Sequence, residues 1–376
     1  MQEWEGRLQV MEEEILGLSS VPPYSGLTRE RVVDILKRIS TLKAGVIGDA
    51  CLDVYWHVDM TISELSRETP HYNLPVIRET FGPGAAGNVA NNFRELGCSE
   101  VSICSIAGDD WRGTLLKDSF RKLGINDSYM LAEKGRVTPA YCKTILRGLQ
   151  EAEQEAPRID FINLDAPFEA MQRKLVVELD RMAEKVDVIG VTDQLKSGVI
   201  GGLLRERLKY WASRGKRIII DSRENIGKYK GVTVKPNEIE ALRWCYGSLK
   251  VHPSSESEII KAGKRLARVA DAPCCVTMGD KGALWIEDDQ VTYVPTAAVK
   301  PPIDIVGAGD TFTAALLSAL GAGCQGPEAT AFAHLAAAVS VRKLGGVGSA
   351  SPQEILQRFD ETAKLQPNHQ EREMKL

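Results

Sequence analysis

The sequence predicts an α/β fold, a doubly wound, mostly parallel sheet with helices on both faces and a small β lid. Three observations predict it. Short apolar runs alternate with helical patterns along most of the chain, as in sheets covered on both faces. Several runs end in an acid or a glycine, as at Gly48-Asp49, Gly108-Asp109 and Asp221. Two regions, about 54–81 and 135–165, break the rhythm with alternating half-polar pieces such as Asn73–Thr80 and Ala140–Leu146, which suit a sheet with one wet face.

The elements follow in order. Residues 1–40 read as an N-terminal helical extension, broken at Val21-Pro22-Pro23-Tyr24-Ser25-Gly26, with a second helix at Thr28–Ile39. Residues 41–365 read as one domain, opening with the buried strand Ala44–Asp49, and 366–376 as a polar tail. Further strands are expected at Val101–Ala107, Val186–Val191, Arg217–Asp221 and Cys274–Met278. Helices are expected at Ala86–Leu96, Trp111–Leu123, Phe168–Glu184, Val199–Ser213, Ser254–Val269 and Phe312–Leu320. The two irregular regions read as lid segments over the strand ends; the alternative makes them edge strands of the main sheet.

Composition narrows the function. The 376 residues carry a formal net charge of −4 and no Lys/Arg run, so nucleic acid is not an expected partner. The eight cysteines lie in apolar stretches without a CxxC pair, the pattern of reduced core thiols. The acidic N-terminus is unlike a signal peptide, and no stretch is long and apolar enough to span a membrane. The expected location is the cytoplasm.

The most informative segment is Asp304-Ile305-Val306-Gly307-Ala308-Gly309-Asp310-Thr311, which runs into a small-residue helix. Glycines around one alanine let successive N–H groups converge on an anion, and the helix start adds its positive dipole end. Asp310 at such a site can take the proton of a hydroxyl attacking phosphorus, with the amides of Gly307, Ala308 and Gly309 holding the transferring group. The plainer alternative is a tight turn with Asp310 as helix N-cap.

A second cluster, Phe81-Gly82-Pro83-Gly84-Ala85-Ala86-Gly87-Asn88, contains a formal G-x-G-x-x-G. A dinucleotide fingerprint, and with it an NAD-dependent oxidoreductase, is the alternative reading. The preceding segment, with Pro75, Arg78 and Glu79, is too polar for the buried first strand that fingerprint needs. The favoured reading lets Gly84 and Asn88 approach a polyhydroxyl substrate. Asp49 and Asp53, four apart after the first strand, suit sugar hydroxyls, and Asp193 and Asp221 end later strands where open sheets place ligands.

With both clusters placed, the chain resembles the ribokinase-like (PfkB) sugar kinases from about residue 42 to about 355. The resemblance rests on Pro83–Ala90, Lys235-Pro236-Asn237-Glu238-Ile239-Glu240, Val276–Gly282 and Asp304–Leu317. It implies a ribokinase-like three-layer αβα fold and an ATP-dependent kinase using Mg2+. Asp310 would be the base, Asn237 and Glu240 would organise magnesium, and Lys235, Asn237, Thr277, Gly279, Gly282 and His334 would lie by the nucleotide. A monovalent cation such as K+ beside Asp304 and a homodimer are compatible with it. Within the family, Gly48–Trp56, Glu64–Pro70, Arg158-Ile159-Asp160-Phe161 and Thr192–Gly198 resemble the kinases of D-glycero-D-manno-heptose 7-phosphate, which act in ADP-heptose synthesis. That likeness places Lys143, Arg158, Asp193 and Lys196 at the substrate, Arg158 and Lys196 as candidates for its phosphate, and implies a stand-alone kinase without a nucleotidyltransferase. Other sugars or nucleosides (ribose, fructose, adenosine) are the alternatives, with a non-catalytic sugar- or nucleotide-binding regulator behind them. The chain departs from the family at Gly84-Ala85, where paired glycines are usual, at Ile305, at His334 in place of asparagine, and at the acidic stretch Glu151–Glu155.

Overall fold

The computed structural model describes residues 17–247 and 255–365. The start of the expected extension, Ser254 and the 366–376 tail lie outside the described residues.

The main sheet has nine strands. Seven run parallel: β5 (Asn126–Glu133), β4 (Glu100–Gly108), β1 (Lys43–Gly48), β9 (Val188–Asp193), β10 (Arg217–Ser222), β11 (Thr233–Val234) and β12 (Cys274–Thr277). A hairpin of β13 (Ala283–Glu287) and β14 (Gln290–Val294) adds two antiparallel strands. Period-2 alternation splits the strand side chains between two cores. Val46, Ile103 and Ile219 face one; Ile47, Ile106, Ile218 and Ile220 face the other.

The first core is completed by α1 (Arg29–Ile39), α2 (Ala86–Glu95), α3 (Trp111–Lys122), α8 (Ala308–Gly321) and α9 (Gly326–Ser340), joined by α10 (Pro352–Leu365) through Ile355. The second is completed by α4 (Glu169–Ala183), α5 (Gly202–Ser213), α6 (Glu238–Tyr246) and α7 (Glu256–Ala270). The three-layer arrangement expected from the sequence is thus present. Helix α1 belongs to the main domain's first core, which corrects the reading of residues 29–39 as part of a separate extension. Thr28 caps it, Val32, Ile35 and Ile39 are fully buried in the first core, and Arg31 pairs with Glu328 of α9 at 2.6 Å.

The irregular regions form a separate five-stranded sheet, not edge strands of the main one. It comprises β2 (Ala50–Asp59), β3 (Val76–Ala85), β6 (Ala140–Arg147), β7 (Glu153–Glu155) and β8 (Ile159–Phe161). β2 begins two residues after β1 ends, so the chain passes at Asp49 from the main sheet into the lid. One lid face packs Leu52, Val54, Ala140 and Cys142 into the first core with Leu116 and Phe120 of α3. The alternation therefore puts Asp53, Tyr55, Tyr141 and Lys143 on the opposite face.

Candidate active site

The segment before α8 makes a left-handed turn at Gly307 (φ +78°), which caps the helix. A Cβ there would lie 2.1 Å from Val347 Cγ1, so only glycine fits. The first i→i−4 bond of α8 is from the Thr311 amide to the Gly307 carbonyl, at 3.0 Å. The amides of Gly309 and Asp310 precede it and are not used by the helix ladder. Ala308 departs from the expectation of three converging donors, because its amide already donates to the Ile305 carbonyl at 3.2 Å. The Cα of Gly309 faces open space, with nothing within 4 Å of a Cβ placed there.

Asp310 is the third residue of α8, not its cap, so the plainer reading of this residue fails. Its carboxylate accepts a hydrogen bond from Asn88 Nδ2 at 2.6 Å. Burial pushes its pKa up to about 7; the Asn88 donor and Lys235 oppose the rise, and the charges of Asp221 and Asp53 reinforce it. A carboxylate with that pKa can exchange a proton near neutral pH.

Asn88 was expected on the substrate; here its amide holds Asp310. Its Oδ1 accepts from Asn92 Nδ2 at 3.3 Å, and the same Nδ2 donates to the Asn88 carbonyl at 2.9 Å. Asn92 Oδ1 in turn accepts from the Thr311 hydroxyl at 2.8 Å. Sequence reasoning missed Asn92. The signal was available: a second asparagine one helical turn on, along an otherwise apolar face.

Across from α8, the lid offers Asp53, which accepts no side-chain hydrogen bond among the described residues. Burial raises its pKa to about 6, against the pull of Lys143 and Arg158. Gly84 packs directly against it: a Cβ there would sit 2.5 Å from Asp53 Oδ1 and displace the carboxylate. In strand register Asp53 lies beside Tyr141, and Tyr55 beside Lys143. The Arg158 guanidinium sits 4.4 Å over the Tyr141 ring and is forked onto Asp160 at 2.6 and 2.7 Å. Lys143 lies 3.7 Å from Glu155. Neither Tyr141 nor Asp160 was singled out from sequence.

Two expected substrate carboxylates are committed to the fold. Asp49 is buried and accepts the amides of Gln194 (2.9 Å), Leu195 (2.7 Å) and Val199 (2.8 Å), fastening the loop after β9 to the end of β1. Burial raises its pKa to about 6 despite these donors. Asp193 is buried too and accepts from the Tyr229 hydroxyl at 2.7 Å, the Ser222 hydroxyl at 2.9 Å and Asn225 Nδ2 at 3.1 Å. Lys196, on the loop that Asp49 fastens, is exposed.

Lys235 is also not a free nucleotide ligand. It is buried and paired with Asp221 at 3.1 Å, and Asp221 accepts from the Thr313 hydroxyl of α8 at 3.1 Å. Burial pulls the Lys235 pKa down, but the Asp221 and Glu240 carboxylates outweigh it and the net shift is upward. The Lys235 ammonium and the Asp221 carboxylate both act electrostatically on Asp310. Asn237 and Glu240 form a capping box at the start of α6: Asn237 Oδ1 accepts the Glu240 amide at 2.8 Å and Glu240 Oε2 accepts the Asn237 amide at 2.9 Å. Burial and the nearby Asp221 raise the Glu240 pKa, and its Oε1 remains uncommitted. Among the described residues no three or more His, Cys, Asp or Glu side chains gather to hold a metal by themselves.

Thr277 ends β12, and its amide bonds the Pro236 carbonyl at 3.0 Å, joining the Thr277–Gly282 turn to the Asn237 loop. Gly279 (φ +58°) and Gly282 (φ +91°) shape that turn. His334, on α9, is buried and packs edge-on against Phe312, two residues past Asp310, with ring centroids 5.1 Å apart. Burial lowers its pKa to about 4, so the ring is neutral at pH 7.

The G-x-G-x-x-G at residues 82–87 belongs to the lid. Gly82 and Gly84 lie in β3, antiparallel to β2, and only Gly87 is helical. No parallel βαβ unit begins there, which removes the geometric basis for a dinucleotide fingerprint.

Residues 46–354 match the pfkB family carbohydrate kinase pattern. The chain belongs to the pfkB family of carbohydrate kinases. It is 32% identical over 335 residues to the "Bifunctional protein HldE" of Geobacter sulfurreducens, covering 88% of this chain and 65% of that protein's length. It is 32% identical over 349 residues to the protein of the same name from Geobacter metallireducens, covering 90% of this chain and 68% of that one. Its fold is similar to the crystal structure of Phosphofructokinase-2 from Escherichia coli in complex with potassium (TM-score 0.64, 18% identity, 86% of this chain and 100% of that one). It is also similar to Arabidopsis thaliana ribokinase complexed with ribose and ATP (TM-score 0.61, 17% identity, 85% and 99%). The pfkB match supports a phosphotransferase with a hydroxyl acceptor. Among the described residues no helix is long and apolar enough to cross a membrane.

Proposed function

We propose that this chain transfers the γ-phosphoryl group of ATP to a hydroxyl of a phosphorylated sugar, with D-glycero-D-manno-heptose 7-phosphate the favoured substrate and the 1,7-bisphosphate its product. The observation that carries the reading is the Asp310 carboxylate, placed in the first turn of α8 beside unused amides and raised to about 7. There it accepts the hydroxyl proton as the oxygen attacks phosphorus; the new O–P bond forms as the bond to the ADP oxygen breaks. The unused amides of Gly309 and Asp310, together with that of Gly307 and the positive end of α8, hold the transferring group. Asp53 receives sugar hydroxyls.

Magnesium fits the site as an ion carried mainly by nucleotide phosphates and water, since among the described residues no cluster of three ligating side chains gathers and Glu240 keeps Oε1 clear of its capping bond. It would supply charge neutralisation on those phosphates. Thr277, Gly279, Gly282 and His334 border the nucleotide, and Asn237 holds its loop in place. The preference for a phosphosugar rests on the stretches that resemble heptose-phosphate kinases and on the cations of the cleft. Lys143 and Arg158 lie close enough to act electrostatically on Asp53, and Lys196 sits exposed on the loop beside it. A homodimer would cover the apolar side chains that the lid leaves exposed, among them Leu65, Tyr72, Leu74 and Ile77.

Asp310→Asn tests the base. Turnover should fall by about 10²–10⁴-fold while ATP and sugar still bind. A variant keeping more than about a tenth of the original kcat would remove Asp310 from the role.

A further inference from the structure

Asp49 and Asp193 each commit their carboxylate to a loop, and each of those loops carries a cation. Strands β9 and β10 are parallel neighbours, with Asp193 beside Ser222 in register. The loops that follow them leave the same end of the sheet about 5 Å apart, at the end where open α/β sheets place ligands. Lys196 lies on the loop after β9, and Arg223 directly follows β10. The β10 loop hangs on Asp193, whose carboxylate accepts from the Ser222 hydroxyl, Asn225 Nδ2 and the Tyr229 hydroxyl at 2.9, 3.1 and 2.7 Å. The Ser222 hydroxyl also accepts the Asn225 amide at 3.1 Å, and the Asp193 carbonyl accepts the Arg223 amide at 3.2 Å. None of these donors is a cation, so Asp193 fixes the Arg223 backbone without pairing with its side chain. The β9 loop is held likewise: Asp49 takes three amides there, and Arg136 Nη2 donates to the Ser197 carbonyl at 3.0 Å.

The cations of the cleft differ in what they have left to offer. Arg158 has Nε and Nη2 forked onto Asp160, Lys235 is paired with Asp221, and Lys143 lies beside Glu155. Arg223 is exposed, and its guanidinium makes no hydrogen bond or ion pair among the described residues; nor does the Lys196 ammonium. Arg223 is also near the lid. Its charge acts on the Tyr141 hydroxyl more strongly than does that of Arg158, which sits over the same ring. Tyr141 is the register neighbour of Asp53. On Glu240, the carboxylate proposed beside magnesium, Arg223 acts more weakly than Asp221 and Lys235 do.

We infer that Arg223 grips the phosphate of the acceptor together with Lys196, and that Asp193 is the positioning residue that aims it. The guanidinium supplies an open fork and the ammonium a point charge, a pair suited to a phosphate dianion. Asp193 then serves the substrate through Arg223 and not by touching the sugar. The inference rests on the phosphosugar reading proposed above, and it names the arginine whose fork is free for that phosphate.

Calorimetric titration of the full chain with D-glycero-D-manno-heptose 7-phosphate, the unphosphorylated heptose and ADP tests it. Arg223→Ala, a change at an exposed side chain, should weaken the 7-phosphate by roughly 10–100-fold, the loss of charge-assisted hydrogen bonds, and leave the other two ligands within about twofold. Arg223→Lys should recover only part of that loss, because an ammonium cannot fork. Asp193→Asn should weaken the 7-phosphate alone, and in the Arg223→Ala background it should cost nothing further, since it acts through Arg223. Additive losses in that double variant would overturn the positioning role. Unchanged 7-phosphate affinity in Arg223→Ala, an equal loss for the unphosphorylated heptose, or a loss confined to ADP overturns the inference and leaves phosphoryl transfer standing. If the unaltered chain binds the 7-phosphate no better than the unphosphorylated heptose, the phosphosugar reading itself falls and this inference with it.

Discussion

Replacing Asn88 separates two roles that the same residue could play. In the structure its amide donates to the Asp310 carboxylate at 2.6 Å. Asn88→Leu keeps the volume and removes the donor. A hydrogen bond to a charged group contributes about 1.5–3 kcal/mol. At 1.36 kcal/mol per pKa unit, its loss should raise the Asp310 pKa by about one to two units, from about 7. Asp310 must be ionised to accept the hydroxyl proton, so activity rises with pH through its pKa. At pH 7 the ionised fraction should fall from about half to roughly 1–10%. The variant should therefore lose roughly 5–50-fold in kcat/KM at pH 7 and recover most of it above pH 9. The assay is steady-state ADP release from pH 5.5 to 10. A uniform loss at every pH, with the acid limb unmoved, would refute the reasoning and return Asn88 to the sugar-binding role expected from sequence.

Three further outcomes are expected. Ala85, where the family has a second glycine, sits at φ +52° and ψ −119°. Ala85→Gly should relieve strain of about 1–3 kcal/mol against an unfolded-state cost of about 0.4–1 kcal/mol, so the denaturant midpoint should rise; a fall would show that the site is not strained. Lys196→Ala should raise KM for a phosphosugar more than it lowers kcat, as for uniform binding, and leave any neutral substrate unaffected; the same KM change for both would remove Lys196 from the phosphate. Sugar binding should slow hydrogen exchange in 54–81 and 135–165 as the lid excludes water, and unchanged protection in both would count against closure.

Much of the architecture was legible because it rests on periodicity. The apolar runs at Val101–Ala107, Val186–Val191 and Arg217–Asp221 fall within β4, on the approach to and within β9, and within β10, and the helices that were expected begin and end within a few residues of expectation, whereas α6, α9 and α10 were not singled out. The half-polar alternation at Ala140–Leu146 marked the lid, because only a one-sided sheet tolerates it. Strand β5 and the β13–β14 hairpin were not singled out. Their half-buried and exposed residues, such as Asn126, Asp127 and Gln290, dilute the apolar signal. Helix α1 was set apart because the Pro22-Pro23 break precedes it, yet its buried stripe belongs to the first core.

The site was legible in its turn chemistry and less so in its carboxylates. Gly307 takes the left-handed conformation that its glycine implied. A strand-end acid looks the same in sequence whether it meets a ligand or a backbone amide. Asp49 and Asp193 therefore read as substrate groups, although loop amides and the Tyr229 hydroxyl consume them. Asn237-x-x-Glu240 carries a capping-box signature, and the structure uses it as one. Asn88 could be placed near the reaction but not paired with Asp310, because their contact spans 222 residues of chain.

The central claim is phosphoryl transfer from ATP to a phosphorylated sugar, and kcat/KM across a substrate panel tests it most directly. With ATP and Mg2+, heptose 7-phosphate should exceed ribose, fructose and adenosine by at least about tenfold, a difference of about 1.4 kcal/mol in transition-state binding. The product should be a bisphosphate. A neutral sugar as the best substrate would contradict the phosphosugar assignment, and no ATP-dependent phosphorylation of any acceptor would contradict the account as a whole.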